Sequence, residues 1–302
     1  MNNDIISKEH TFHKKPYLKI HRSKYFDGSF RPPKRFRAIV FDLDETLGAF
    51  QDFYLLWIGL QEFQKHHFPF AFNELLDLYP EFVRTGIEDI LRYVYHKKNQ
   101  KLCKGVYLYT NNQNSVNWVQ LLSRYFQYKI GSDSEFFDKI IYAFKINDKR
   151  VELGRTNRTK CHSDFINCTM LPHTTEICFI DNTMFSEMKH TYVYYIQPSS
   201  YNHTLSTGTI IQRFVNSKFI SSWDKVQQKK LSDFLYFFFS HNQNSLPSIN
   251  SPNKLEWDTL VAKKIMYHMK EFFLIQKMNG LTKKNKHKKK WITKFTRKNY
   301  KD

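Results

Sequence analysis

The sequence predicts an α/β fold, with a mostly parallel sheet flanked by helices. Five short apolar runs have the length and residue types of buried strands: Phe36–Phe41, Val106–Tyr109, Ile140–Ala143, Ile177–Ile180 and Tyr192–Ile196. Segments with helical spacing fill the intervals between them. Polar residues follow several of the runs directly, where a parallel sheet carries its functional edge.

The elements follow in chain order. Residues 1–35 read as a basic arm ending at Pro32-Pro33. The first strand follows, and residues 36–240 read as the main domain. About residues 50–82, containing "DFYLLWIGLQEFQKHHFPFAFNELLDLYPEF", suit two or three short helices. "TGIEDILRYVYHKKN" places Ile87, Ile90, Leu91 and Val94 at i, i+3, i+4 and i+7, one face of a helix. After the second strand, "NSVNWVQLLSRYF" aligns Val116, Val119, Leu122 and Phe126 in the same way. A further helix is expected to begin near Lys160, ahead of the strand Ile177–Ile180. Residues 241–282 read as a linker, "NQNSLPSINSPN", and a helix that packs back through Leu260, Val261, Ile265, Met269 and Phe272. Residues 283–302 read as a disordered basic tail.

With 302 residues, 41% of them hydrophobic, the chain can bury a large core as one domain with appendages. No apolar run approaches a membrane span, and "FLYFFF" is far too short. The N-terminus lacks the apolar centre of a signal peptide, and the four cysteines form no CxxC pair, so reduced thiols in an intracellular compartment, cytoplasmic or nuclear, are expected. Cys161, His162, Cys168 and His173 match no standard zinc spacing. Richness in Lys, Asn, Ile, Phe and Tyr suggests an AT-rich genome, such as that of a large DNA virus or a protist parasite.

The net charge of +19 is concentrated at the ends. Residues 1–40 hold 10 Lys/Arg against 3 acids, and residues 283–302 hold 10 against 1. The tail interleaves Trp291, Phe295 and Tyr300 with its cations, which suits a polyanion or an acidic protein.

The densest chemistry lies in "RAIVFDLDETLGAF". A strand built for a core ends there in Asp42, Asp44 and Glu45, and clustered carboxylates repel unless a cation offsets them. Thr110 follows the second strand in "GVYLYTNN", and Asp181-Asn182 follows a later one in "ICFIDN". Lys160 stands 21 residues before Asp181.

This set resembles the haloacid dehalogenase-like (HAD-like) hydrolases. Their DxDx(T/V) motif is matched by Asp42 to Thr46, their Thr/Ser motif by Thr110, their Lys by Lys160 and their acidic or Asp-Asn motif by Asp181-Asn182. The wording "DLDETL" is closest to the branch of RNA polymerase II C-terminal-domain phosphatases and their small relatives. "VRTGIEDIL" resembles that branch's "RPG..eFL" segment, with Thr85 in place of its proline. The resemblance covers roughly residues 36–200. It implies a HAD-like parallel sheet and an Mg²⁺-dependent phosphatase working through an aspartyl-phosphate.

In that reading Asp42 is the nucleophile and Asp44 the general acid, then base. Asp42, the Asp44 carbonyl and Asp181 hold Mg²⁺, with Asn182 beside them. Thr110 and Lys160 bind the phosphoryl group, with Thr46 and Asn111 alongside. Lys145 is the competing lysine, though it stands 36 residues before Asp181. The short interval between Thr46 and Thr110 implies a small or absent cap, and hence a phosphorylated macromolecule as substrate. A phosphoserine or phosphothreonine protein is favoured. A nucleic-acid 3′-phosphate is the alternative within enzymes, and an inactive scaffold binding nucleic acid or protein through its basic tails is the alternative outside them.

Overall fold

The computed structural model describes residues 17–27, 35–64, 70–242 and 253–274. The basic tail, most of the linker and much of the N-terminal arm lie outside the described residues.

Eight strands are described: β1 (Leu18–Arg22), β2 (Arg37–Phe41), β3 (Gly105–Tyr109), β4 (Lys139–Ile141), β5 (Lys145–Ile146), β6 (Lys149–Arg150), β7 (Glu176–Ile180) and β8 (Val193–Pro198). The helices are α1 (Gln51–Gln64), α2 (Phe72–Asp77), α3 (Ile87–Asn99), α4 (Val116–Ile130), α5 (His162–Thr169), α6 (Thr207–Val215), α7 (Lys225–Asn242) and α8 (Lys254–Leu274). Six strands form one sheet in the order β1-β8-β7-β2-β3-β4. All neighbours pair in parallel except β1, which runs antiparallel to β8.

The two faces of the sheet follow from the two-residue repeat of strands. Ile39, Phe41, Val106, Leu108, Cys178 and Ile180 face the larger core, shared with α1 to α4 and α6 to α8. Ala38, Val40, Tyr107, Tyr109, Ile177 and Phe179 face a smaller core closed by Phe165 and Ile166 of α5. Burial on both faces explains why these strands read as unbroken apolar runs. The buried Arg37–Glu176 ion pair, 3.1 Å long, joins β2 to β7 at the end of the strands remote from Asp42.

Local chemistry sets the helix boundaries. Ser115 caps α4 by accepting from Trp118 N, and Gly131 ends it in the left-handed region. Glu88 and Asp89 open α3 while His96, Lys97 and Lys98 close it, complementing its dipole. Gly86, before α3, has φ +72°, and a Cβ there would lie 2.8 Å from Ala262 of α8, so no larger residue fits.

Three expectations are corrected. Part of the arm is built into the sheet: Leu18–Arg22 forms β1, and Phe26 is buried against Tyr194. The third predicted strand ends at Ile141, because Tyr142 and Ala143 turn toward the β5–β6 hairpin, whose Asn147 and Asp148 take positive φ. Leu260 is 37% exposed, whereas Val261, Ile265, Met269 and Phe272 are buried as expected. The described residues of 50–82 form α1, α2 and a short turn at Pro80–Phe82, and their Leu56, Leu60, Leu75 and Leu76 belong to the larger core. Among the described residues, no helix is long and apolar enough to cross a membrane.

α8 is tied to the sheet by Glu271, which accepts from Tyr194 Oη at 2.5 Å and from Arg22 Nη1 at 3.0 Å. Burial opposes ionisation of this carboxyl, but hydrogen bonds from His268, Tyr194 and Arg22 outweigh it and hold the pKa at about 2. A folded pKa below the unfolded one means the group stabilises at neutral pH. That contribution is lost as pH falls from about 4.5 toward about 2. Glu271→Gln is therefore expected to lower the melting temperature at pH 7 and to flatten its decline across that acid window. An unchanged acid profile would remove Glu271 from the account.

Candidate active site

Chain order and strand order together locate the site. From β2 the chain proceeds outward through β3 and β4, then returns to the other side of β2 as β7 and β8. The reversal point lies at the carboxyl end of β2, where open α/β sheets form their crevice. Asp42 leaves β2 there, with its N–H donating to Ile180 O at 2.9 Å. Thr110 leaves β3 on one side, and Asp181 leaves β7 on the other.

Lys160 joins the flanks. It precedes α5, is buried, and its Nζ donates to Asp42 Oδ1 at 2.5 Å and to Asp181 Oδ2 at 2.7 Å. Burial disfavours the ammonium, but Asp181 and Asp42 outweigh it and raise the Lys160 pKa. Lys145 lies instead on the β5–β6 hairpin, with its Nζ over Phe144. The spacing argument against Lys145 thus has a geometric counterpart.

One ammonium does not balance three acids. Burial, and next the charge of Asp42, push the Asp44 carboxyl up to about 7, although Asn112 and Lys160 pull it down. Asp181 is raised too, chiefly by burial, despite its ion pair with Lys160. The site therefore gathers three carboxyl groups around one buried ammonium. Oxygen donors suit a hard cation such as Mg²⁺, which needs only one or two protein carboxylates and takes other ligands from water and substrate. Among the described residues, no three His, Cys, Asp or Glu side chains form a group that could hold a metal ion. Cys161 caps α5 and His162 stacks on His190 at 3.7 Å, outside any such group.

The remaining predicted residues take distinct places. Thr110 is fully buried, and its Oγ1 accepts from Asn112 N at 3.0 Å, keeping its own proton to donate. Asn111 lines a cleft next to Asp44. Thr46 does not face that cleft. Its buried hydroxyl donates to Asn182 Oδ1 at 2.8 Å and accepts from Asn182 N at 3.0 Å. Asn182 in turn donates to Glu45 Oε2 and Ser200 Oγ, so both ends of its carboxamide are occupied. Thr46 and Asn182 thereby lock the turn after β2 to the turn after β7. Glu45 is exposed and has φ +57°.

Three residues emerge that spacing does not single out. Asn112 Nδ2 donates to both oxygens of Asp44, at 2.9 and 3.2 Å, and fixes its orientation. Arg84 is buried and donates to the carbonyls of Thr46 at 2.6 Å, Glu45 at 2.5 Å and Ser199 at 2.8 Å. Arg155, also buried, donates to the carbonyls of Thr110, Tyr142 and Arg158. Each guanidinium is thus a clamp behind one wall of the site.

No protein-family model, curated protein or solved structure matches the chain.

Proposed function

We propose that the protein is a phosphomonoester hydrolase with Asp42 as nucleophile. The observation that carries this reading is Lys160 held between Asp42 and Asp181 at the reversal point of a parallel sheet. Asp44 two residues further on, and carboxyl oxygens that suit a hard cation, support the same reading.

Asp42, Asp181 and the carbonyl of Asp44 would hold Mg²⁺. The bound ion supplies charge neutralisation for the phosphoryl oxygens. A carboxylate oxygen of Asp42 attacks phosphorus and the bond to the leaving oxygen breaks, giving an aspartyl-phosphate. Asp44, with its pKa raised to about 7, is suited to be protonated and to deliver its proton to that oxygen. It then takes a proton from water, whose oxygen attacks phosphorus and releases phosphate and free Asp42. Lys160 offsets the charge gathered beside Asp42, and Thr110 offers a hydroxyl donor.

Turnover of p-nitrophenyl phosphate with Mg²⁺, lost with a chelator and lost in Asp42→Asn, tests the reading. Full activity in that variant would overturn it. Asn112 supplies a finer test, because its Nδ2 holds both oxygens of the acid. Asn112→Ala is expected to slow an alkyl phosphate by about 10- to 100-fold, the low end of a general-acid contribution, with far less effect on p-nitrophenyl phosphate. Nitrophenolate leaves without a proton, so equal losses on both substrates would reject this role for Asn112.

A further inference from the structure

Asp44 opens on a cleft of about 700 Å³ whose wall does not include Asp42, Lys160 or Asp181. The acid therefore faces this space while the nucleophile does not, which makes it the place for a leaving group. The wall has a distinct chemistry. The four carboxamides of residues 111–114 line it together with the hydroxyl residues Ser206 and Thr207. Its further acids are Glu45 and Asp52, and Asp52 Oδ2 lies 3.2 Å from His203 Nε2.

Among the described residues no Lys or Arg lines the cleft. A nucleic-acid end would bring its neighbouring phosphates past Glu45, and the described wall offers them no Lys or Arg. The carboxamide of Asn112 is held by Asp44 and Asn114, and Gln113 Nε2 donates to Asn111 O, but Asn111 and Asn114 can both donate and accept, as the N–H and C=O groups of a polypeptide backbone require.

We infer that the cleft takes a phosphorylated polypeptide segment whose residues beside the phosphorylated side chain are uncharged or basic, with Glu45 as its specificity-determining residue. This rests on the phosphatase reading above and adds the charge of the substrate to it. Glu45 is exposed, adjoins Asp44 in the chain, and is held by Asn182 Nδ2 at 3.1 Å, so its carboxylate has a fixed place at the cleft. The strongly basic chain would by itself favour acidic substrates, so the inference runs against the net charge.

The test uses the full chain at 0.15 M salt and three phosphoserine peptides differing only in the flanking pair: lysines, glutamines or glutamates. A 3′-phosphorylated oligonucleotide and a hexose phosphate complete the panel. Each kcat/KM is normalised to the same variant's p-nitrophenyl phosphate rate. Wild type is expected to prefer the lysine peptide over the glutamate peptide by roughly five- to tenfold, the scale of one partly screened charge contact. Glu45→Gln should erase that ratio and Glu45→Lys should invert it. Preference for the oligonucleotide, the hexose phosphate or the glutamate peptide overturns the inference, as does a ratio insensitive to Glu45. Those results leave the phosphatase reading standing whenever p-nitrophenyl phosphate is turned over. Fluorescence anisotropy of the labelled peptides with Asp42→Asn reads the cleft without chemistry, and equal affinity for all three peptides also overturns the inference.

Discussion

Asp42→Asn is expected to reduce phosphatase turnover by at least about a thousandfold, the scale on which losing a nucleophile is felt. It is not expected to lower the melting temperature. The carboxamide has nearly the same volume, and one charge leaves a buried group in which Asp42 and Asp181 share Lys160 with Asp44 beside them. Like-charge repulsion then falls, so stability should hold or rise while activity disappears. A structural role predicts the opposite pair of results: activity retained in whatever fraction folds, and a lower melting temperature. Measuring both on one preparation separates the two. A variant that melts several degrees early and keeps its specific activity would return Asp42 to the scaffold.

Arg84→Ala is expected to have the largest effect on stability. Arg84 makes three hydrogen bonds to the carbonyls of Glu45, Thr46 and Ser199 and lies over the ring of Tyr201 at 5.2 Å. Truncation removes them together and leaves buried acceptors without donors, at about 1–3 kcal/mol for each such group. A total near 4 kcal/mol follows if part of the loss is relieved by water. That is a large share of a typical folding free energy of roughly 5–15 kcal/mol. Urea unfolding should show it as a lower midpoint at unchanged slope. Arg84→Lys should recover only part, since an ammonium cannot span three carbonyls as a planar fork does. A loss below about 1 kcal/mol would mean that the turn after β2 holds itself.

The parts of this architecture that were legible in the sequence share a physical cause. β2, β3 and β7 are buried on both faces, so their apolar runs are continuous and their ends are sharp. Asp42, Thr110 and Asp181 stand at those ends, where position alone singles them out. β1 was not legible, because a half-exposed edge strand reading "LKIHR" alternates too briefly to stand out from a basic arm. α7 was missed for another reason. Leu231, Leu235 and Phe239 repeat at helical spacing, but exposed Tyr236 and Phe237 obscure the pattern. Arg84 and Arg155 were hidden most fully, since their partners are backbone carbonyls, which have no letter in a sequence. Asn112 resembled any loop residue until its contact with Asp44 distinguished it.

The two arginine clamps have a consequence for how the site behaves as its carboxyl groups titrate. Burial lowers the Arg84 pKa only to about 10, so the guanidinium keeps its charge throughout the range in which Asp44 exchanges its proton. Its partners are carbonyls, which do not titrate at all. The carboxyl charges of the site are therefore variable while the frame that holds them is constant. Protons can enter and leave the site without any contact of that frame being remade.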